Sequence, residues 1–145
     1  MSKETRLISV GTLLLLSFLA CRRNSDQHHS SGILGELEEA YRTKITVSKL
    51  GLSKGENFLG DTVFYVKGII TNSGEEKIQR VVLTFLFKDS TNQVVLKDTR
   101  KAIEYRGGRG IESLQAAEFQ VAFENLPQAW NYIVPEVQVS QIGLQ

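Results

Sequence analysis

From Val81 to Phe87 every second residue is apolar, with Val81, Leu83, Phe85 and Phe87 on one side of the chain. Arg80, Val82, Thr84, Leu86 and Lys88 fall on the other. A side-chain period of two belongs to extended backbone, and an unbroken apolar face marks a strand half-buried in an antiparallel sheet. The period recurs downstream of Thr43. Ile45 and Val47 start a strand that continues through Leu50 and Leu52 after an irregularity. In Thr62–Asn72, Phe64, Val66 and Ile70 oppose Val63, Tyr65 and Ile69, while Glu118–Glu124 turns Phe119, Val121 and Phe123 inward. Tyr132–Ile142 reads as the last strand, with Val137 and Val139 facing the core, and Pro135 suits a strand start or edge because it has no N–H to donate.

Turn-rich segments separate these runs: 54–61, 72–76, 90–93, 106–110 and 125–131. Val94–Leu96 and Arg100–Tyr105 are weaker and fit edge strands, where Lys97, Lys101 and Glu104 discourage unwanted pairing. Thr62–Asn72 and Ile78–Asp89 are expected to pair as a hairpin. Six or seven short strands with no long helix predict an all-β fold, an antiparallel immunoglobulin-like β-sandwich over residues 43–145. The paired cysteines and strand-borne tryptophan of antibody domains are absent from it.

The N-terminal stretch obeys different rules. Lys3 and Arg6 precede the apolar run Leu7–Ala20, which ends at Cys21, the single cysteine of the chain. Fourteen residues at about 1.5 Å per residue fall short of the roughly 20 needed to span a bilayer core. They suit the h-region of an export signal. Small Ala20 before the lone cysteine has the layout of a bacterial lipoprotein signal, with residues 1–20 removed and lipid carried on Cys21. The alternative is an ordinary signal, or an uncleaved anchor, with an incidental cysteine; Phe18 and Leu19 are a looser fit than the usual leucine and small residue. A single cysteine cannot form an internal disulfide. Two or three acyl chains, each buried methylene adding about 0.8 kcal/mol, would hold the protein at the membrane. Arg22 follows where some Gram-negative bacteria place Asp to retain lipoproteins at the inner membrane, so the outer membrane is expected in a two-membrane host.

Loss of residues 1–20 removes Lys3, Arg6 and Glu4 and takes the chain from 17 basic and 16 acidic residues to 15 of each. Such a balance gives no whole-domain field to draw nucleic acid. Residues 22–32 are polar throughout and read as a flexible tether, with His28–His29 poorly placed for a metal. Ile33, Leu34, Leu37 and Tyr41 share a helical face, predicting one or two turns over Ile33–Tyr41, with Ser30 or Ser31 as cap. Residues 21–42 thus form a lipidated, largely unstructured lead into the domain.

Individual chemical signals are sparse. Glu56, Asn57 and Asp61 supply oxygens without the spacing of a calcium loop. The glycine-rich 106–110 segment lacks the following helix that a phosphate cradle needs, and so reads as a loop tip. Trp130, with Tyr132, is either a ligand platform or the cover of an open core end, and the cover is the commoner use. Arg100, Lys101, Arg106 and Arg109 form the one local charge imbalance, fit either to solubilise an edge or to meet an acidic partner surface or anionic headgroups.

Phe64-Tyr-Val-Lys-Gly-Ile-Ile-Thr-Asn72 followed by Phe85-Leu-Phe-Lys-Asp89 resembles the FxLYD domain of bacterial lipoproteins and envelope proteins. Gly68 and Asn72 match its V-x-G-x-V-x-N strand, and Phe85 and Asp89 match the ends of its F-x-L-Y-D strand. Phe87 and Lys88 depart from the leucine and tyrosine, and Leu114-Gln-Ala-Ala-Glu118 echoes the family's Leu-x-Pro-Gly-Glu turn without Pro or Gly. The resemblance, spanning Ile45–Ile142, implies an immunoglobulin-like sandwich and no catalytic residues.

Residues 43–145 contain no cysteine or histidine, so a nucleophile–base pair or metal site of the usual kind has no members there. The expectation is a non-enzymatic envelope module without cofactor, anchored through Cys21 and binding or supporting a protein partner. A glycan or small-ligand binder at a loop end is the alternative. A hydrolase assembled from Asp61, Glu112 or Glu118 ranks below both.

Overall fold

The structure, a computed structural model, describes residues 26–145. Six strands follow one helix: α1 (Asp26–Tyr41), a 3-10 turn (Arg42–Lys44), β1 (Ile45–Glu56), β2 (Thr62–Asn72), β3 (Ile78–Lys88), β4 (Val94–Glu104), β5 (Ala116–Phe123) and β6 (Glu136–Leu144). They form two antiparallel three-stranded sheets, ordered β1-β2-β5 and β4-β3-β6. The all-β sandwich expected from the alternation is the fold. Its core is the inner face of both sheets, with Val81, Leu83, Phe85 and Phe87 of β3 fully buried against Val66, Ile70, Phe119, Val121 and Phe123. Phe123 meets Phe85 and Phe87 edge-on at 4.9 and 5.0 Å between ring centroids, a favoured aromatic geometry.

The expected hairpin of β2 with β3 does not exist: β2 pairs with β1 and β5, and β3 with β4 and β6. The chain crosses from one sheet to the other between them, and β2 to β5 make a Greek key in which β5 returns beside β2. Asn72 braces the crossing. Its side chain is fully buried, and its Nδ2 donates to the carbonyls of Glu76, Ile111 and Glu112 at 2.8, 3.2 and 3.2 Å. Its Oδ1 accepts from Gly74 N–H and the Tyr41 hydroxyl, both at 3.0 Å. Those bonds fold residues 73–77 back over the core edge instead of into a two-strand turn. Gly68, four residues earlier, lies under Phe119 and the β1 bulge: a Cβ there would stand 2.9 Å from the Phe119 ring and 3.0 Å from Ser48 O. The irregularity in β1 is that bulge, between Ser48 and Gly51, with Lys49 at φ 49°.

Other boundaries move. β4 is one strand, because Asp98 and Arg100 interrupt only the apolar pattern and not the ladder. β6 begins at Glu136, four residues after Tyr132, whose φ of 60° is incompatible with a strand. Helix α1 begins at Asp26, so residues 26–32 of the expected tether are helical and the expected caps Ser30 and Ser31 lie inside the helix. That segment contains no proline, and once a first turn forms each further residue adds a hydrogen bond. Residues 1–25, with the signal-like run and Cys21, lie outside the described residues. Among the described residues no helix is long and apolar enough to cross a membrane.

The last turns of α1 dock at one end of the sandwich. Arg42 donates to Ser140 O at 3.0 Å, and Leu144 N–H donates to Glu38. The Tyr41 hydroxyl accepts from Glu76 N–H at 2.8 Å and shares its proton between Asn72 Oδ1 and Glu76 O. Loops 57–61, 89–93 and 124–135 close the opposite end. Strands of eleven residues at about 3.3 Å each place the two ends about 36 Å apart.

Candidate functional site: the loop end of the sandwich

Loop 57–61 is organised by Asn57. Its Oδ1 accepts from the N–H groups of Leu59 and Asp61 at 2.9 Å, and its Nδ2 donates to the Asp61 carboxylate. The Gly60 N–H closes on Asn57 O, with φ 85° that glycine adopts without strain. The oxygens of Asn57 and Asp61, weighed above as ion ligands, are thus engaged within the loop. The two residues between them point out: Phe58 is 99% and Leu59 78% exposed.

A second turn does the same in loop 124–135. Asn131 is tied to the end of β3, its N–H donating to Lys88 O and its Nδ2 to Asp89 O, and its Oδ1 accepts from Ile133 N–H. Tyr132 is left at φ 60°, and Tyr132 and Ile133 are 60% and 64% exposed. Trp130 turns the other way. It is 2% exposed, lies edge-on to Phe64 and Phe87 at 5.0 and 5.3 Å, and donates from Nε1 to Ile133 O. Trp130 therefore covers the core end, and Tyr132, stacked obliquely 5.0 Å away, is the exposed ring of the pair.

Loop 89–93 completes this end. Asp89 Oδ1 accepts from the N–H groups of Gln93 and Thr91 and from the Thr91 hydroxyl, at 2.7 to 2.9 Å. The Gln93 N–H, then the Thr91 hydroxyl, hold this carboxyl below its ordinary range. On β6 beside it, Glu136 is lowered chiefly by the Lys88 ammonium, 2.8 Å away. The three loops contain the carboxylates Asp61, Asp89 and Glu124 and no lysine or arginine.

The four basic residues singled out in the sequence do not form one surface. Arg100 lies on the inner side of β4, opposite Leu83, where its guanidinium grips the Asp98 carboxylate through Nε and Nη2 at 2.8 to 3.0 Å. It also stands 5.7 Å over the Phe123 ring, at the seam between β4 and β5. Lys101 faces out and pairs with Glu104 at 2.6 Å. Arg106 and Arg109 are exposed in the loop after β4, at the α1 end, and Arg106 contributes to holding Glu104 below its usual range behind the larger effect of Lys101. The sequence reading missed Arg80. It pairs in register with Glu104 and lines a shallow cleft of about 150 Å³ between α1 and β6, beside Arg42. Only the pairing register, which alternation alone does not give, brings Arg80 into this group.

Asp61 is bonded to Asn57 at the loop end, Glu112 pairs with Lys77 near α1, and Glu118 lies on β5 opposite Ile69. The structure does not bring these three carboxylates together. Among the described residues no group of three or more His, Cys, Asp or Glu is placed to hold a metal ion. No family model, curated protein or solved structure matches this chain.

Proposed function

We propose that the chain is a membrane-anchored, non-catalytic β-sandwich module that binds or supports another component of a bacterial cell envelope. The observation that carries this reading is the loop end, where two asparagine-braced turns hold Phe58, Leu59, Tyr132 and Ile133 in solvent. Exposed apolar side chains grouped at one end of a domain mark interaction sites. The apolar run ending at Cys21 supports the anchor, and α1 joins the sandwich at the other end, so an anchored domain would present these loops away from the membrane. Arg106 and Arg109 would then lie toward the headgroups. The resemblance to the FxLYD domain supports the same setting, and its matched residues have structural tasks here: Gly68 admits Phe119, Asn72 turns the chain between sheets, and Asp89 closes a turn.

Site-specific photo-crosslinking in intact cells tests the proposal. A photoreactive residue at Phe58 is expected to capture a discrete envelope component. The same residue at Leu114, 80% exposed but at the α1 end, serves as control. Identical products from both positions, or none from Phe58, would count against the reading.

A further inference from the structure

We infer that the loop end docks a folded protein whose contact surface is an apolar groove rimmed by lysine or arginine; this rests on the proposal that these loops face a partner. Shape and charge select this occupant. Phe58 and Leu59 project from the tip of the β1–β2 hairpin, and Tyr132 and Ile133 from the neighbouring loop, so the surface is convex and its complement concave. The braces on Asn57 and Asn131 fix both turns before binding, which reduces the entropy lost on association. Around these side chains the loops carry only negative charge, from Asp61, Asp89 and Glu124. An anionic bilayer would be repelled by them, and a second copy meeting end to end would bring like charges together. A basic rim satisfies both the apolar centre and the acidic surround.

The test uses the full chain in phosphatidylcholine nanodiscs and reads the fluorescence of Trp130, the only tryptophan. The probes are tryptophan-free synthetic two-helix hairpins, whose paired helices leave an apolar leucine groove rimmed by Lys in one and by Glu in the other, together with vesicles containing phosphatidylglycerol. The Leu/Lys hairpin is expected to bind, with affinity falling at least tenfold on raising salt or on the double change Phe58→Ser, Leu59→Ser. Arg106→Glu with Arg109→Glu, at the other end, should leave binding unchanged. Because all four residues are exposed, each variant should melt with the wild type. Equal binding of the Leu/Glu hairpin, binding insensitive to Phe58 and Leu59, vesicle capture through this end, or self-association through it would overturn the inference. A partner crosslinked at Phe58 through a flat or acidic surface would also overturn it, while leaving the broader proposal standing.

Discussion

Replacing Asn72 by alanine should cost more than any surface change and nearly as much as opening the aromatic core. The change removes a fully buried amide that makes five contacts to the protein. The Gly74 N–H is buried and is left without a partner, which costs about 1–3 kcal/mol. The carbonyls of Ile111 and Glu112 keep the N–H groups of Ile78 and Gln115, and the Tyr41 hydroxyl keeps Glu76, so the other four contacts add about 1 kcal/mol in all. The expected loss is about 2–4 kcal/mol, a large share of the 5–15 kcal/mol that holds such domains folded. With a urea slope of about 1.5 kcal/mol per molar, the unfolding midpoint should drop by about 1–3 M. Asn72→Asp sharpens the test. It keeps the accepted bonds but sets a negative charge against three carbonyl oxygens, which raises its folded-state pKa above the unfolded value of about 3.9. Its stability should therefore recover as pH falls through the raised folded pKa toward 4. An alanine variant within 1 kcal/mol of wild type, or an aspartate variant whose stability ignores pH, would refute the account of how the chain crosses between sheets.

Phe85→Ala should cost about 3–5 kcal/mol in denaturant titrations, whereas Lys88→Ala, which breaks a half-exposed pair with Glu136, should cost less than 1 kcal/mol. Asp89 is held below its ordinary 3.8 by hydrogen bonds in the folded state. It contributes stability above that value which is lost as pH falls through the folded pKa, so Asp89→Asn should flatten the acid limb of the stability curve below about pH 4. Intact-mass analysis of membrane-extracted protein should find acyl chains on Cys21, and Cys21→Ser should abolish them and release any cleaved product; an unmodified, soluble wild-type protein would exclude the anchor.

The strands with a clean period of two were legible, and the pairings between them were not. β3 is covered on both faces only in part, yet its inner residues are uniformly apolar, so Val81–Phe87 announces itself. Where an inner position is charged the signal fails: Asp98 and Arg100 neutralise each other at the edge of the sandwich, and one strand reads as two. The β2–β3 crossing is braced by a buried amide whose partners at 111 and 112 are some forty residues away in the chain. Local pattern carries no trace of them. At the candidate site, the glycine and asparagine of loop 57–61 indicated a turn, and Trp130 a covered core end. That Phe58 and Leu59 point outward follows from the Asn57 hydrogen bonds, which composition does not disclose.

The order of the sheets also bears on how the chain reaches this state. β3, at the centre of its sheet, takes one neighbour from the adjacent hairpin and the other from the C-terminal strand; the Ser140 hydroxyl bonds Val82 O across 58 residues. β2 similarly waits for β5. Local hairpins can form early, but closing such long loops before any contact rewards them makes a sandwich slow to complete. One sheet is whole only when β5 is available, and the other only when β6 is. If the chain is exported as proposed, this topology keeps it open until its C-terminal strand has crossed the membrane, so translocation and folding need not compete.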